Sequence, residues 1–184
     1  TEPFISDFHH WKTVSVIGVG VSNRPLIEKL LERGIDVTAR DKKESLGELG
    51  AELAAQGCKL KLGEDYLKDI HEDVIFRTPG LSPNTPELVN AVQRGIELSS
   101  EMELFFQTCP SRLIGVTGSD GKTTTTTIIA ELLKAAGRTV HLGGNIGQPL
   151  LCQADDMEPE DWAVLELSSF QLMTMDRSPH IAVV

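Results

Sequence analysis

The stretch Ile114-Gly115-Val116-Thr117-Gly118-Ser119-Asp120-Gly121-Lys122-Thr123 constrains this chain more than any other. Its apolar start predicts a strand, its glycines a turn, and the residues behind them a helix. Glycines let successive backbone N–H groups turn inward, a helix start adds its positive end, and Lys122 can reach outer phosphates. The segment therefore reads as a phosphate cradle, with Gly118, Ser119, Asp120, Gly121, Lys122, Thr123 and Thr124 as candidate nucleotide contacts. The common phosphate-loop pattern places glycine where this chain has Val116, so only Gly-x-x-Gly-Lys-Thr survives. A plain glycine-rich turn with a solvated lysine is the alternative.

Thr123 to Thr127 are five consecutive β-branched residues at a helix start, each roughly 0.5 kcal/mol worse there than alanine. Local propensity did not select them. Thr123 is assigned to a metal ion and Thr124 to a phosphate oxygen, while Thr125 to Thr127 are assigned to packing or solvent.

At 184 residues and 40% apolar content the chain can hold one ordinary domain or two small ones. A net charge of −10 argues against a polyanion-binding surface, so nucleic acid is not an expected partner. Any nucleotide must be held by local dipoles and a few cations. Cys58, Cys109 and Cys152 fit neither a disulfide framework nor a zinc site, which points to a reducing cytoplasm. No secretory signal and no apolar run near the ~20 residues of a membrane span is present. The missing initiator Met, and a last segment His180–Val184 that reads as a buried strand, predict an incomplete chain.

Phe4, Phe8 and Trp11 suggest a short packed lead-in, with His9 and His10 exposed. Thr13 to Ile17 then reads as a buried strand entering Gly18-Val19-Gly20-Val21-Ser22-Asn23, followed by a helix from about Pro25 to Arg33 and a strand Ile35 to Ala39 ending at Arg40-Asp41. This is the start of a Rossmann-like βαβ unit. Gly34, Gly57, Gly95 and Gly137 each fall where a helix should stop and a strand begin. A strand at Val74 to Arg77 meets Thr78-Pro79-Gly80-Leu81-Ser82-Pro83, and a helix from about Thr85 to Arg94 follows.

Alternating strands and helices imply parallel sheets, whose ligands collect at the carboxyl ends of strands. That makes Gly18 to Ser22, Asp41 and Gly80 candidates for one crevice. The boundary is placed near Ser99 or Ser100, dividing the chain into residues 1–100 and 101–184, with a linking helix over Glu101 to Gln107. Beyond the phosphate loop, Gly143-Gly144-Asn145-Ile146-Gly147 reads as a second glycine-rich turn, with Asn145 as a possible substrate donor or a plain turn residue. Gln153 to Asp161 reads as a solvated loop and short helix.

Trp162 to Leu167 is an apolar strand interrupted by Glu166. Burying an unpaired carboxylate is costly, so a strand-end Glu near a phosphate loop suits a magnesium ion that also binds the phosphates. Pairing with a lysine, or exposure at the strand end, is the alternative. Ser168 and Ser169 follow at the strand mouth as possible substrate contacts.

Together, Gly118-Ser119-Asp120-Gly121-Lys122-Thr123, Gly143-Gly144-Asn145-Ile146-Gly147 and above all Glu166-Leu167-Ser168-Ser169-Phe170-Gln171-Leu172 resemble the Mur ligase family of bacterial cell-wall synthesis, and its D-glutamate-adding branch most. Thr78-Pro79-Gly80-Leu81-Ser82 agrees. The resemblance spans nearly the whole chain. It implies an α/β protein: a Rossmann-like parallel-sheet domain that holds the UDP end of the substrate, then the first part of a P-loop ATP-binding α/β domain.

By matching position, Gly20, Val21 and Ser22 face the diphosphate, Asp41, Lys42 and Lys43 surround the uracil, and Gly80 approaches by backbone. Asn145 and Ser168 contact the sugar and peptide portion. Lys122 and Glu166 take catalytic roles, with ATP bound by the loop and Mg2+ held by Thr123 and Glu166. The implied reaction joins D-glutamate to UDP-N-acetylmuramoyl-L-alanine through an acyl phosphate, in a monomer. Two positions depart from the family pattern: Asp120 stands where Asn is usual, and Lys42 and Lys43 match positions that vary. A metal-binding His, a carbamylated Lys and the carboxy-terminal domain implied by the family would lie beyond Val184. These 184 residues are therefore expected not to complete the reaction alone.

Three other readings stay open. Another Mur ligase, or a folylpolyglutamate synthase, could carry the same loop. A non-catalytic nucleotide-binding module would have no need of Glu166. A nicotinamide-dependent dehydrogenase rests on Gly18-x-Gly20 and Asp41, but the third glycine of that fingerprint is Asn23.

Overall fold

The computed structural model describes residues 10–20, 23–144 and 149–184. It divides into two compact units, one running to Glu101 and the other taking up Met102–Val184. Three of the expected site residues, Val21, Ser22 and Asn145, lie outside the described residues, as do Phe4, Phe8 and His9 of the lead-in.

The first unit runs β1 (Thr13–Ile17), α1 (Asn23–Glu32), β2 (Asp36–Asp41), α2 (Gly47–Ala55), β3 (Lys59–Leu62), β4 (Val74–Arg77), α3 (Pro86–Gln93) and β5 (Glu97–Ser99). The five strands pair in parallel in the order β3-β2-β1-β4-β5. The order reverses direction beside β1, where a doubly wound sheet opens a crevice. Val14, Val16, Ile17, Val37, Ala39, Val74, Ile75 and Phe76 are buried, the near-continuous apolar pattern of strands covered on both faces. Gly34, Gly57 and Gly95 take φ of +75°, +94° and +91°, the left-handed helix stop read from sequence.

Arg40, near the end of β2, is 2% exposed and was not singled out by the sequence. Its guanidinium donates to Ser15 Oγ at 2.8 Å, to the carbonyls of Tyr66 (3.0 Å), Lys68 (2.9 Å) and Asp69 (3.2 Å), and to both Glu72 oxygens at 2.9 and 3.2 Å. A planar fork of donors suits this many acceptors, and it ties residues 66–72, between β3 and β4, to the sheet. Burial pushes the Glu72 carboxyl up, but its hydrogen bonds with Arg40, its own backbone and Thr38, with the Arg40 charge, outweigh that and hold it below the usual range.

The second unit runs α4 (Glu101–Thr108), β6 (Arg112–Val116), α5 (Lys122–Ala135), β7 (Val140–Gly144), two 3-10 turns (Leu150–Cys152 and Ala154–Asp156), β8 (Trp162–Glu166), α6 (Ser169–Leu172) and β9 (Ile181–Val183). Its strands are also parallel, in the order β7-β8-β6-β9. Ile114, Ala130 and Val164 form a core cluster against which Ile129, Leu133, Leu142 and Trp162 pack.

Three sequence expectations differ here. Gly143 and Gly144 belong to β7 rather than to a turn, paired with Leu165 and Glu166. They are small because a Cβ on Gly143 would overlap the Leu150 side chain and one on Gly144 the Glu166 carbonyl oxygen. The segment 153–161 is not all solvated: Ala154, Met157 and Asp161 are buried, and Asp161 bonds His141 Nε2 at 2.9 Å and accepts from Glu158 N at 3.1 Å. The last strand, β9, pairs with β6 on one side only, so Ile181 is 46% exposed rather than buried.

Among the described residues, no helix is long and apolar enough to cross a membrane. Cys58 and Cys109 are free thiols.

Removing the Arg40 guanidinium takes the counter-charge from Glu72 and a donor from three carbonyls, so Arg40→Met should destabilise the first unit by about 3–5 kcal/mol in urea unfolding. Because the Glu72 carboxyl is lowered in the folded state, its contribution is complete above the ordinary Glu range and fades as pH falls through the folded value. Acid titration of stability should show a component that disappears in Glu72→Gln. In the second unit, Gly144→Ala forces a Cβ into β8 at φ +96°, and thermal melting should show a loss of more than about 3 kcal/mol.

Candidate functional site

The carboxyl edge of the second sheet gathers the residues that carry chemistry. Parallel register sets Gly144, Glu166, Val116 and Val183 in one row across β7, β8, β6 and β9. The chain leaves that row at Thr117, whose N–H donates to Val183 O at 2.9 Å, and passes through Gly118 (φ +141°) and Gly121 (φ +74°) into α5. These two turns need glycine because an L side chain rarely adopts such angles. Val116, where the common pattern has glycine, is simply the buried last residue of β6, and the bend begins at Gly118.

Lys122 opens α5 and reaches back over the loop, its Nζ donating to Gly118 O at 3.0 Å and Ser119 O at 3.3 Å. An ammonium has three donors, so these bonds leave capacity for a phosphate oxygen. Thr123 Oγ1 donates to Glu166 Oε2 at 2.7 Å. This contact joins two residues 43 apart in sequence, and Glu166 is 4% exposed. A hydroxyl and a buried carboxylate side by side at a helix start form a hard-oxygen pair of the type magnesium accepts, with phosphates and water completing its shell. Among the described residues, no cluster of three or more His, Cys, Asp or Glu forms a metal cage.

The threonine run divides as its chemistry requires. Thr126 is buried and its hydroxyl bonds Lys122 O at 2.6 Å, while Thr127 bonds Thr123 O at 2.8 Å, the back-bonding that lets hydroxyls sit in a helix. Thr124 is exposed on the first turn, and Ser119 and Asp120 are exposed on the loop. Ser168 caps α6: its Oγ accepts from Gln171 N at 3.3 Å, and Gln171 Oε1 accepts from Ser168 N at 2.8 Å. Gln171 completes this cap, and Ser-x-x-Gln is a capping-box signature readable in the sequence. The Ser168 hydroxyl keeps its own proton to donate.

The first unit has its own crevice at the carboxyl edge of β1, β2 and β4. Ile17, Gly18, Asp41, Lys42, Tyr66 and Gly80 are among the residues lining a cavity of about 300 Å3. Asp41 is buried, its oxygens accepting from Val19 N and Lys43 N, each at 3.0 Å, so its carboxylate is fixed between the two strand-end turns. Asn23, at the place of a third fingerprint glycine, donates to Ile17 O at 3.1 Å and Gly18 O at 2.9 Å. It braces the first turn with a side chain where a dinucleotide fold keeps close helix–strand packing. A Cβ at Gly20 or Gly80 would meet nothing within 4 Å, and neither has a left-handed φ. Neither the backbone nor packing demands glycine there.

A family profile described as Mur ligase MurD-like, N-terminal domain, matches residues 12–100, and one described as Mur ligase middle domain matches 116–184. A UDP-N-acetylmuramoylalanine--D-glutamate ligase of Clostridium botulinum is 51% identical over 97% of this chain and 40% of its own length. The protein of the same name in Ruminiclostridium cellulolyticum is 53% identical over 94% of this chain and 38% of its own. This chain thus spans about 40% of the length of the curated relatives it matches. Among solved structures, a UDP-N-acetylmuramate-alanine ligase of Thermotoga maritima has 23% identity and a TM-score of 0.47, over 86% of this chain and 37% of that one. By sequence, in both of its units, the chain belongs to the Mur ligase family.

Proposed function

We propose that this chain supplies the UDP-substrate domain, residues 1–100, and the first part of the ATP-binding domain, residues 101–184, of a ligase. That ligase joins D-glutamate to UDP-N-acetylmuramoyl-L-alanine through an acyl phosphate in peptidoglycan synthesis. The observation that carries the reading is the 2.7 Å contact of Thr123 Oγ1 with Glu166 Oε2 beneath the glycine-rich turn. The D-glutamate specificity is supported by relatives of that name at 51% and 53% identity.

In this reading the loop N–H groups and the start of α5 orient the triphosphate of ATP, with Ser119, Asp120 and Thr124 along its path. Lys122 moves from its carbonyls to the outer phosphates. Thr123 and Glu166 hold Mg2+, which when bound neutralises phosphate charge. Phosphoryl transfer depends mainly on positioning and electrostatic stabilisation, and these residues provide both. The open space above Gly20 and Gly80 suits a diphosphate and sugar lying against backbone, with Val21 and Ser22 as further contacts; in the second unit, Asn145 and Ser168 are the proposed contacts for the sugar and peptide portion. Asp41 and Lys42 face the uracil. Free thiols at Cys58 and Cys109 favour the cytoplasm, and a monomer is the expected state in sedimentation.

Titrating a non-hydrolysable ATP analogue with and without magnesium tests the loop. Lys122→Ala should weaken binding ~10- to 100-fold, the range of a hydrogen bond to a charged group. Thr123→Ala and Glu166→Gln should remove most of the magnesium dependence. Unchanged magnesium-dependent affinity in both would falsify the metal assignment. NAD should not compete with UDP for the first unit.

A further inference from the structure

We infer that Tyr66 is the base-contacting wall of the first unit's crevice, held in place from behind by Arg40; this rests on the proposed binding of a uridine diphosphate there. Tyr66 lies between β3 and β4, and it lines the cavity together with Asp41, Lys42 and Gly80. Its ring is half-buried and packs on the apolar cluster of Ile17, Ile70, Ile75, Leu88 and Ala91. One part of the ring therefore rests on rigid core while another borders open space. Burial, then the nearby Asp41 and Glu87 charges, push its phenol above the ordinary value, so it stays neutral.

The segment carrying this ring is unusually well held for a connection. Arg40 takes the carbonyls of Tyr66, Lys68 and Asp69, and Tyr66 N donates to Gly63 O at 3.2 Å. Gly63 N in turn donates to the carbonyls of Asp41 at 3.1 Å and Lys43 at 3.0 Å. Ring and carboxylate thus belong to one hydrogen-bonded frame. A flat heterocycle entering between them would meet an aromatic face and, at its edge, the fixed Asp41 and the Lys42 turn. Aromatic faces suit nucleobases because stacking needs area rather than a particular hydrogen-bond pattern. Tyr66 would be a contact residue and Arg40 a positioning residue.

Tyr66 is the single tyrosine among 184 residues, so 3-fluorotyrosine incorporation gives one 19F signal from this ring. UDP should shift that signal, and inorganic pyrophosphate should not. By calorimetry Tyr66→Ala should weaken UDP about 10-fold and leave pyrophosphate unchanged, while Tyr66→Phe should stay within about 3-fold of the parent. Arg40→Lys should weaken UDP and broaden the fluorine signal; equal weakening of pyrophosphate would indicate general loss of structure instead and overturn the positioning role. If UDP binds the parent chain but Tyr66→Ala binds it equally well, the inference fails and the crevice reading stands. If the parent chain does not bind UDP, it is the crevice reading that fails.

Discussion

Everything chemical in the second unit depends on the register of four parallel strands at one edge. Because β7, β8, β6 and β9 all run the same way, their last residues arrive together, and the loops that follow must share that edge. Register places Glu166 beside Val116, one step from where the phosphate loop begins. A carboxylate buried to this degree is unfavourable without compensation. Thr123 supplies part of it, and the start of α5 adds a field of the right sign. The same arrangement gives a cation with phosphates attached a reason to bind there. Gly143 and Gly144 belong to this constraint, since β7 can lie against Leu150 and β8 only where no Cβ intervenes.

The first unit solves a similar problem with the opposite charge. Arg40 is buried at the end of β2, one residue before Asp41, and alternation along the strand turns the two side chains to different faces. Arg40 reaches away to tie down the connection at 66–72, whereas Asp41 turns to the strand-end loops and fixes their N–H groups. A buried guanidinium with this many acceptors is strong evidence about geometry and weaker evidence about net stability, because desolvation offsets much of what the bonds return. Its clearer effect is that residues 66–72 are tied to the sheet beside the crevice.

A chain with a net charge of −10 has no broad positive field to draw in anionic ligands. Binding must come from oriented backbone donors at strand ends and from single cations such as Lys122. Both units have these features, and both place them on the carboxyl side of a parallel sheet. The two proposed anionic ligands would therefore each meet the same kind of sheet edge.

Strands, helix stops and the phosphate loop were legible because each depends on local chemistry: apolar runs for β1, β4, β6 and β8, glycine at Gly34 and Gly137, and Gly-x-x-Gly-Lys-Thr before a helix. Glu166 could be singled out because a carboxylate in an otherwise apolar strand is anomalous wherever it lies. Gly143 and Gly144 were misread as a turn, since glycine pairs signal bends locally and only the packed Leu150 side chain and β8 reveal that they are small in order to fit. Arg40 and Tyr66 were unremarkable in sequence because their importance lies in partners up to 32 residues away. Composition and local pattern therefore determined which elements form and where the glycine-rich loop bends into a helix. Tertiary structure alone decided which side chains meet, because strand order and register set distances between residues that the linear chain leaves far apart.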